Sequence, residues 1–255
     1  MSPRPHPFAT GPGRLAIAHR GGALLPENLG KENSVEAFAN AVALGYTHLE
    51  TDLRTTRDGE VFAFHDPDLR RVVGQEVRFS DLSAEEVRAL RLRGGARIPS
   101  LDDLLAEFPE AVFNLDVKDD ASVDGSLERI ARRDAAERVV LASFSHQRLQ
   151  RVRAQAPHLA TSATRAEVIT MILGGRPRGT PAPVAVQIPE RHRGFPILSR
   201  PLVERAHRWG MHVHVWTVDA PGQMHRLLDL GVDGLITDRP DRLKDVLLQR
   251  GQWPA

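Results

Sequence analysis

The chain has 255 residues, of which 41% are hydrophobic, so it is long enough to bury a sizeable core. Its 34 basic and 33 acidic residues give a formal net charge of +1, which offers no electrostatic case for binding nucleic acid or an anionic membrane. The absence of cysteine excludes disulfides, thiolate catalysis and thiolate metal sites.

The N-terminal segment, residues 1–13, is rich in proline and glycine and has no apolar stretch of signal-peptide length. No stretch of the chain approaches the roughly 18–20 apolar residues that cross a membrane. We therefore expect a cytoplasmic protein without stable membrane anchoring, in which residues 1–13 are flexible. The length predicts a single domain over residues 1–255, and it leaves the oligomeric state open.

Short apolar runs alternate with amphipathic runs along the rest of the chain. Most of the apolar runs are rich in Val, Ile, Leu and Phe and are too short for helices, as is typical of buried parallel strands. We count eight of them: Leu15–His19, His48–Leu53 extended by Val61–His65, Val112–Lys118, Val139–Phe144, Leu159–Ala163, Val184–Pro189, His212–Val218 and Gly234–Asp238.

Helical patterns lie between these runs. Ser34 is placed to cap the first helix, and Ser100 with Asp103 resembles a capping box before the second. The predicted helices are Val35–Leu44, Leu101–Phe108, Leu127–Ala136, His146–Ala156, Ala166–Leu173, Arg200–Trp209, Gln223–Leu230 and Arg242–Arg250.

Strands that alternate with helices over this length are typical of a (β/α)8 TIM barrel, and a doubly wound open sheet is the competing arrangement. The polar segment Asp66–Ile98 fits neither pattern and contains one short helical run, Ala84–Leu90. We interpret this segment as a small insertion or lid after the second strand, and not as a second domain.

Carboxylates stand at the ends of two predicted strands. Because side chains alternate along a strand, Glu50 and Asp52 share one face, as do Asp116 and Lys118 on the next strand. If both faces point inward, three carboxylates converge at the barrel mouth and require a cation, for which oxygen ligands favour Mg²⁺ or Ca²⁺. The alternative is a structural ion pair between Asp116 and Lys118.

Two histidines also follow predicted strands, His19 and His65, and they are candidates for proton transfer at neutral pH. Arg20 offers the fork geometry that grips phosphate oxygens. Together with Lys118 and a divalent ion, these residues suit a site for phosphodiester cleavage.

These residues belong to a longer series of motifs that resembles the glycerophosphodiester phosphodiesterase family from about Leu15 to Leu247. The motifs are His19-Arg20-Gly21-Gly22, Glu32-Asn33-Ser34, Glu50-Thr51-Asp52-Leu53, Arg57-Asp58-Gly59, His65-Asp66-Pro67-Asp68-Leu69, Arg97-Ile98-Pro99-Ser100-Leu101, Asp116-Val117-Lys118, Ser143-Phe144, Val215-Trp216-Thr217-Val218 and Gly234-Leu235-Ile236-Thr237-Asp238-Arg239-Pro240.

The resemblance implies a TIM barrel with a small insertion after its second strand. It also implies hydrolysis of small-molecule glycerophosphodiesters to sn-glycerol 3-phosphate and an alcohol, by a route usually discussed through a cyclic phosphate. The implied roles are metal ligation by Glu50, Asp52 and Asp116, acid/base catalysis by His19 and His65, and phosphate or substrate binding by Arg20, Lys118 and Glu32.

The chain departs from the family pattern at two places. Asp116 stands where the third ligand is usually Glu, so the metal sits differently or keeps an extra water. Residues Leu29–Lys31 lengthen the turn before Glu32, which reshapes the pocket. We take Glu32, and not Glu27, as the motif glutamate because a helix begins directly after it.

Aromatic residues near the strand ends allow two interpretations. Trp216 shares a strand face with His212 and His214, and it either fills the barrel or forms an apolar wall for the substrate. Phe64 and Phe144 are expected to pack in the core.

Two other functions remain open from the sequence. One is a lysophospholipase D or sphingomyelinase D-like activity on lipid phosphodiesters, and the other is a barrel that binds a phosphorylated metabolite without turnover. The insertion favours a polar substrate because it carries several arginines, among them Arg70, Arg71, Arg78, Arg88, Arg91 and Arg93.

Overall fold

The structure is a computed structural model that describes residue 8, residues 14–177 and residues 181–254. Eight parallel strands carry the fold: β1 (Leu15–His19), β2 (His48–Thr55), β3 (Val112–Val117), β4 (Val139–Ala142), β5 (Ala160–Thr161), β6 (Ala185–Pro189), β7 (His212–Trp216) and β8 (Gly234–Thr237). The main helices between them are α1 (Val35–Ala43), α2 (Leu101–Glu107), α3 (Ser122–Arg132), α4 (His146–Gln155), α5 (Arg165–Ile172), α6 (Arg200–Arg208), α7 (Pro221–Leu230) and α8 (Pro240–Gln249).

The strands form one sheet in the order β5-β4-β3-β2-β1-β8-β7-β6. The two ends of this sheet meet where Ser162 bridges Ala185 and where the Val184 N–H donates to the Thr161 carbonyl at 2.9 Å. The sheet is therefore a nearly closed barrel with helices between its strands, which confirms the predicted (β/α)8 TIM barrel and excludes the open sheet.

The barrel interior is layered because neighbouring strands hold inward residues in register. Ile17 pairs with His48 and His48 with Val112 in the lowest layer, and Asp52 pairs with Asp116 at the top. The apolar residues of the interior cluster are Phe8, Ile17, Val112, Val140, Ala160 and Ile236.

Phe8 is buried in this interior cluster, although it comes from the segment predicted to be flexible. Its ring stacks on His214 with 5.4 Å between ring centroids and meets the His48 ring edge-on at 5.3 Å. The other residues of that predicted segment, 1–7 and 9–13, lie outside the described residues.

The prediction that Val61–His65 extends the second parallel strand is wrong. Residues Val61–Ala63 form a short strand that runs antiparallel to β2, with Leu53 opposite Ala63 and Thr55 opposite Val61. The chain reverses at Gly59, whose φ of 87° is readily adopted by glycine. This return strand carries the chain back to the carboxyl end of β2.

The predicted helix caps are confirmed, whereas four helices begin earlier than predicted, α3 by five residues and α5, α7 and α8 by one or two. Ser34 accepts from the Ala37 N–H at 3.1 Å, and Ser100 forms a capping box with Asp103. Helix α3 begins at Ser122 because the Asp119 carboxylate accepts from its N–H at 2.9 Å. The apolar periodicity hides this polar first turn.

Segment 66–98 has a hydrophobic cluster of its own. Leu69, Phe79 and Val87 are buried together, and Phe64 stacks on Phe79 with 4.7 Å between centroids. The predicted short helix is present as Ala84–Ala89. Among residues 8, 14–177 and 181–254, no helix is long and apolar enough to cross a membrane.

Candidate active site

The turn after β1 opens the site. Arg20 has a φ of 51°, in the left-handed region that is uncommon for residues other than glycine. In this conformation its N–H donates to the Glu50 carbonyl at 3.0 Å and lies 3.1 Å from Glu50 Oε2. Gly21 follows with a φ of 80°, and a Cβ there would lie 2.8 Å from the Ala37 carbonyl carbon. The glycine is therefore required by the packing of this turn against α1.

Each of the two predicted catalytic histidines is paired with an aspartate. The Nδ1 atom of His19 lies 2.7 Å from Asp238 Oδ1, and that of His65 lies 2.7 Å from Asp66 Oδ1. A carboxylate at Nδ1 holds the proton on that nitrogen and leaves Nε2 available for proton transfer. The return strand delivers His65, since the Phe64 N–H donates to the Asp52 carbonyl at 2.9 Å.

The surroundings shift the pKa values of the two histidines in opposite directions. Burial lowers the pKa of the His19 imidazole, but the charges of Glu50 and Asp238 outweigh burial and raise it above its ordinary value. Burial also lowers the pKa of His65, and the attraction of Asp52 does not compensate for it. Opposite shifts are typical of an acid and a base that work as a pair.

Three carboxylates and two cations fill the barrel mouth. Glu50, Asp52 and Asp116 are 5%, 1% and 8% exposed, so all three face inward as the alternation along the strands predicts. Lys118 Nζ lies 2.8 Å from Asp52 Oδ1 and 2.5 Å from Asp116 Oδ2, and Arg20 Nε lies 3.1 Å from Asp52 Oδ2. The ion pair between Asp116 and Lys118 that the sequence left open is therefore present.

The two carboxylates of β2 differ in their ionisation. Burial, reinforced by the charge of Asp52, raises the pKa of Glu50 to about 7. Burial would also raise the pKa of Asp52, but Lys118 and Arg20 outweigh it and lower the value to about 2. At neutral pH Asp52 is therefore ionised, whereas Glu50 is only partly ionised.

The chemistry of these donors suits a divalent cation. All three side chains offer oxygen, and the buried Asp116 Oδ1 has no hydrogen-bond partner. In this structure Asp52 and Asp116 form ion pairs with the Lys118 ammonium, which bridges the two carboxylates. Within the described part of the chain, no group of three or more His, Asp or Glu side chains is arranged to hold a metal ion.

A clamp joins the insertion to the site, and sequence reasoning missed it. We call Arg71 together with Glu32 and Asp66 the Arg71 clamp. The Arg71 guanidinium lies 2.5 and 2.7 Å from the two Glu32 oxygens, and its Nε lies 2.7 Å from Asp66 Oδ2. Because Asp66 also holds His65, and Glu32 lies 3.1 Å from Arg20 Nη1, the clamp connects the histidine to the phosphate-binding arginine predicted at β1.

The two glutamates considered for the motif lie in different surroundings. Glu32 lies in the site, whereas Glu27 is exposed on a short turn. Asn33 supports the same region, because its side-chain amide N–H donates to Asp52 Oδ2 at 3.2 Å and its side-chain oxygen accepts from the Thr51 hydroxyl at 2.8 Å.

Two aromatic rings stand at the rim. Phe64 packs in the core as predicted, but the same prediction is wrong for Phe144, which is 64% exposed because β4 ends before it. The Phe144 ring meets the edge of Trp216 with 5.7 Å between centroids, and Lys118 Nζ lies 5.6 Å from its centre. Trp216 is half-buried and packs against the interior cluster of the barrel.

The chain matches the model of the Glycerophosphoryl diester phosphodiesterase family over residues 19–242. It is 39% identical to the "Probable glycerophosphodiester phosphodiesterase 2" of Mycobacterium tuberculosis, with 94% of this chain and 93% of that protein covered. The chain belongs to the glycerophosphoryl diester phosphodiesterase family. It is therefore a phosphoric diester hydrolase, which excludes the alternative of a non-catalytic binding barrel.

Two further proteins are similar to this chain. A human protein named lysophospholipase D is 26% identical, with 91% of this chain and 85% of that protein covered. A phosphodiesterase of Oleispira antarctica, solved in complex with the product sn-glycerol-3-phosphate, superposes with a TM-score of 0.76 at 18% identity. That match covers 92% of this chain and 96% of the other, and it shows a shared fold.

Proposed function

We propose that this phosphodiesterase hydrolyses glycerophosphodiesters to sn-glycerol 3-phosphate and an alcohol. The observation that carries the proposal is the pair of histidines at the barrel mouth, each held by an aspartate at Nδ1 and both adjoining a cluster of carboxylates, Arg20 and Lys118. The family match and the product-bound relative of the same fold support this choice of substrate.

In the proposed reaction the two Nε2 atoms divide the proton transfers. One histidine takes the proton of the attacking hydroxyl, which belongs to the substrate or to water, as a new P–O bond forms. The other gives its proton to the leaving alkoxide as the old P–O bond breaks. If the attacking hydroxyl is the substrate's own, this step yields a cyclic phosphate, and a water molecule then attacks phosphorus and breaks one ring P–O bond to give glycerol 3-phosphate, with the two histidines in exchanged roles. Arg20 and Lys118 offset the charge that develops on the phosphate oxygens.

The proposal includes a divalent cation, Mg²⁺ or Ca²⁺. Glu50, Asp52 and Asp116 would hold it, and a bound ion would withdraw charge from the non-bridging phosphate oxygens. The oxygen-only donor set and the unpartnered Asp116 Oδ1 support this assignment.

The test couples turnover to metal and to each histidine. Protein stripped with EDTA is incubated with glycerophosphocholine or glycerophosphoethanolamine, supplied with Mg²⁺, Ca²⁺ or Mn²⁺, and assayed for glycerol 3-phosphate. We expect metal to restore turnover, His19→Ala and His65→Ala to abolish it, and His158→Ala, at an exposed turn, to retain it. Folded protein that releases no glycerol 3-phosphate with any metal would contradict the proposal.

A leaving group that needs no proton separates the roles of the two histidines. The 4-nitrophenyl ester of glycerol 3-phosphate releases a stable phenolate, so the variant that lacks the acid should regain activity on it, whereas the variant that lacks the base should not. Equal losses on both substrates in both variants would contradict the division of roles.

A lysophospholipid is the second candidate substrate. The exposed Phe144 beside Trp216 offers an apolar rim for a lipid chain, and one relative is named a lysophospholipase D. Turnover of lysophosphatidylcholine that falls in Phe144→Ser, with glycerophosphocholine turnover unchanged, would favour it.

The cytoplasmic location expected from the sequence stays a prediction.

A further inference from the structure

A cavity of about 330 Å³ lies between the turn after β1 and the insertion. Its walls include Leu24, Leu29 and Gly30 from the turn, and Arg71 and Arg93 from the insertion. The Gly94 N–H donates to the Gly30 carbonyl at 3.0 Å, so the two walls are joined by a backbone hydrogen bond. Leu29 and Gly30 belong to the stretch that lengthens this turn relative to the family pattern.

The cavity is continuous with the active site. Arg20, Glu32 and Asp238 line it as well, and these residues contact the candidate catalytic groups. Asp238 holds His19 at 2.7 Å, and Arg20 is paired with Asp52. A substrate whose phosphate lies against Arg20 therefore has one of its two arms beside this cavity.

Arg93 differs from the other charged residues that line the cavity. Arg20 and Arg71 are neutralised by carboxylates within 3.1 Å, and Asp238 is paired with His19. Arg93 donates to the carbonyls of Arg71 at 2.8 Å and Arg70 at 3.4 Å. In the described residues no carboxylate lies within 4 Å of its guanidinium, so its charge is held in place without a counter-ion.

We propose that this cavity binds the alcohol arm of the substrate and that Arg93 selects alcohols bearing an anionic group, a carboxylate or a second phosphate. The inference rests on the proposed function, since it assigns one arm of the same diester. The volume suits a small polar alcohol and lies at the low end for ligand pockets. A guanidinium without a counter-ion gains an ion pair from such an alcohol and repels a cationic one.

Two substrates that differ by one phosphate test the proposal: glycerophosphoinositol and glycerophosphoinositol 4-phosphate. The selectivity is the ratio of kcat/KM for the phosphorylated alcohol over the neutral one. We expect Arg93→Gln to lower this ratio roughly threefold to fivefold, because an exposed ion pair contributes at most about 1 kcal/mol, or about fivefold. Arg93→Glu should lower it further and should raise kcat/KM for the cationic glycerophosphocholine.

Arg91→Gln is the matched control, because Arg91 lies in the same segment, caps backbone carbonyls and does not line the cavity. Its ratio should equal that of the wild type. A ratio unchanged in both Arg93 variants, or lowered equally by Arg91→Gln, would overturn the assignment of the cavity while leaving the proposed function intact. Absence of turnover on every glycerophosphodiester would instead refute the proposed function and this inference together.

Discussion

The barrel interior makes the stability of this protein depend on pH through His214. This residue is fully buried, and burial lowers the pKa of its imidazole to about 3, helped by the neighbouring His212 and His48. The unfolded chain binds the same proton near its ordinary pKa of 6.5. Stability from the neutral ring is therefore complete above about pH 6.5 and is lost as the pH falls towards 3.

The size of the effect follows from the two pKa values. One pKa unit corresponds to about 1.4 kcal/mol, so lowering the pH from about 7.5 to about 5 should remove about 2 kcal/mol of unfolding free energy through His214 alone. Because the ring is fully buried, solvent does not weaken its effect on the unfolding free energy.

Urea unfolding at both pH values measures this change. His214→Leu removes the titration, and although losing the contact with Phe8 lowers stability at every pH, it leaves the pH dependence of the remaining groups in place. Between the two pH values, the unfolding free energy of the variant should therefore fall by about 2 kcal/mol less than that of the wild type. His158→Gln, on an exposed turn, serves as the control and should match the wild type. Equal pH dependence in wild type and His214→Leu would refute the reasoning.

Three further perturbations have defined outcomes. Arg71→Met releases Asp66 and Glu32 and should lower kcat by roughly tenfold to a hundredfold in steady-state assays, whereas Arg70→Met should not; equal rates would contradict a role for the clamp. Arg153→Met leaves the buried carboxylate of its partner on α5 unpaired, so urea unfolding should show a loss of about 3–5 kcal/mol, and a loss under 1 kcal/mol would contradict it. Asp116→Asn should weaken calorimetric binding of Mg²⁺ or Ca²⁺ by about tenfold or more, and unchanged affinity would remove it from the ligand set.

Most of the barrel was predictable because its strands are buried on both faces. Runs such as Val139–Ala142 are apolar throughout, and the glycines after the helices mark where the chain turns back. The return strand Val61–Ala63 was not separable from an extension of β2, since both segments are almost fully buried and the direction of the return strand depends on the turn at Gly59. The local sequence pattern therefore predicts where a strand lies better than it predicts which strand it pairs with and in which direction.

In the site, too, the positions of side chains along a strand were predictable, whereas their contacts with distant segments were not. The alternation of side chains placed Glu50, Asp52 and Asp116 at the mouth, where the register of β2 and β3 brings the last two side by side. Partnerships across the closed barrel were not predictable, because Asp238 reaches His19 only through the pairing of β8 with β1. The role of Arg71 depends on how the insertion folds back, and the sequence alone does not distinguish Arg71 from the other arginines of that segment.

The position of the bond that is cleaved tests the central claim most directly. Metal-supplemented protein is incubated with glycerophosphocholine, and the phosphorus-containing product is identified by ³¹P NMR against authentic standards. The account predicts sn-glycerol 3-phosphate with free choline, and no such product from His19→Ala. Phosphocholine with free glycerol, or an unchanged diester spectrum from folded wild-type protein, would contradict it.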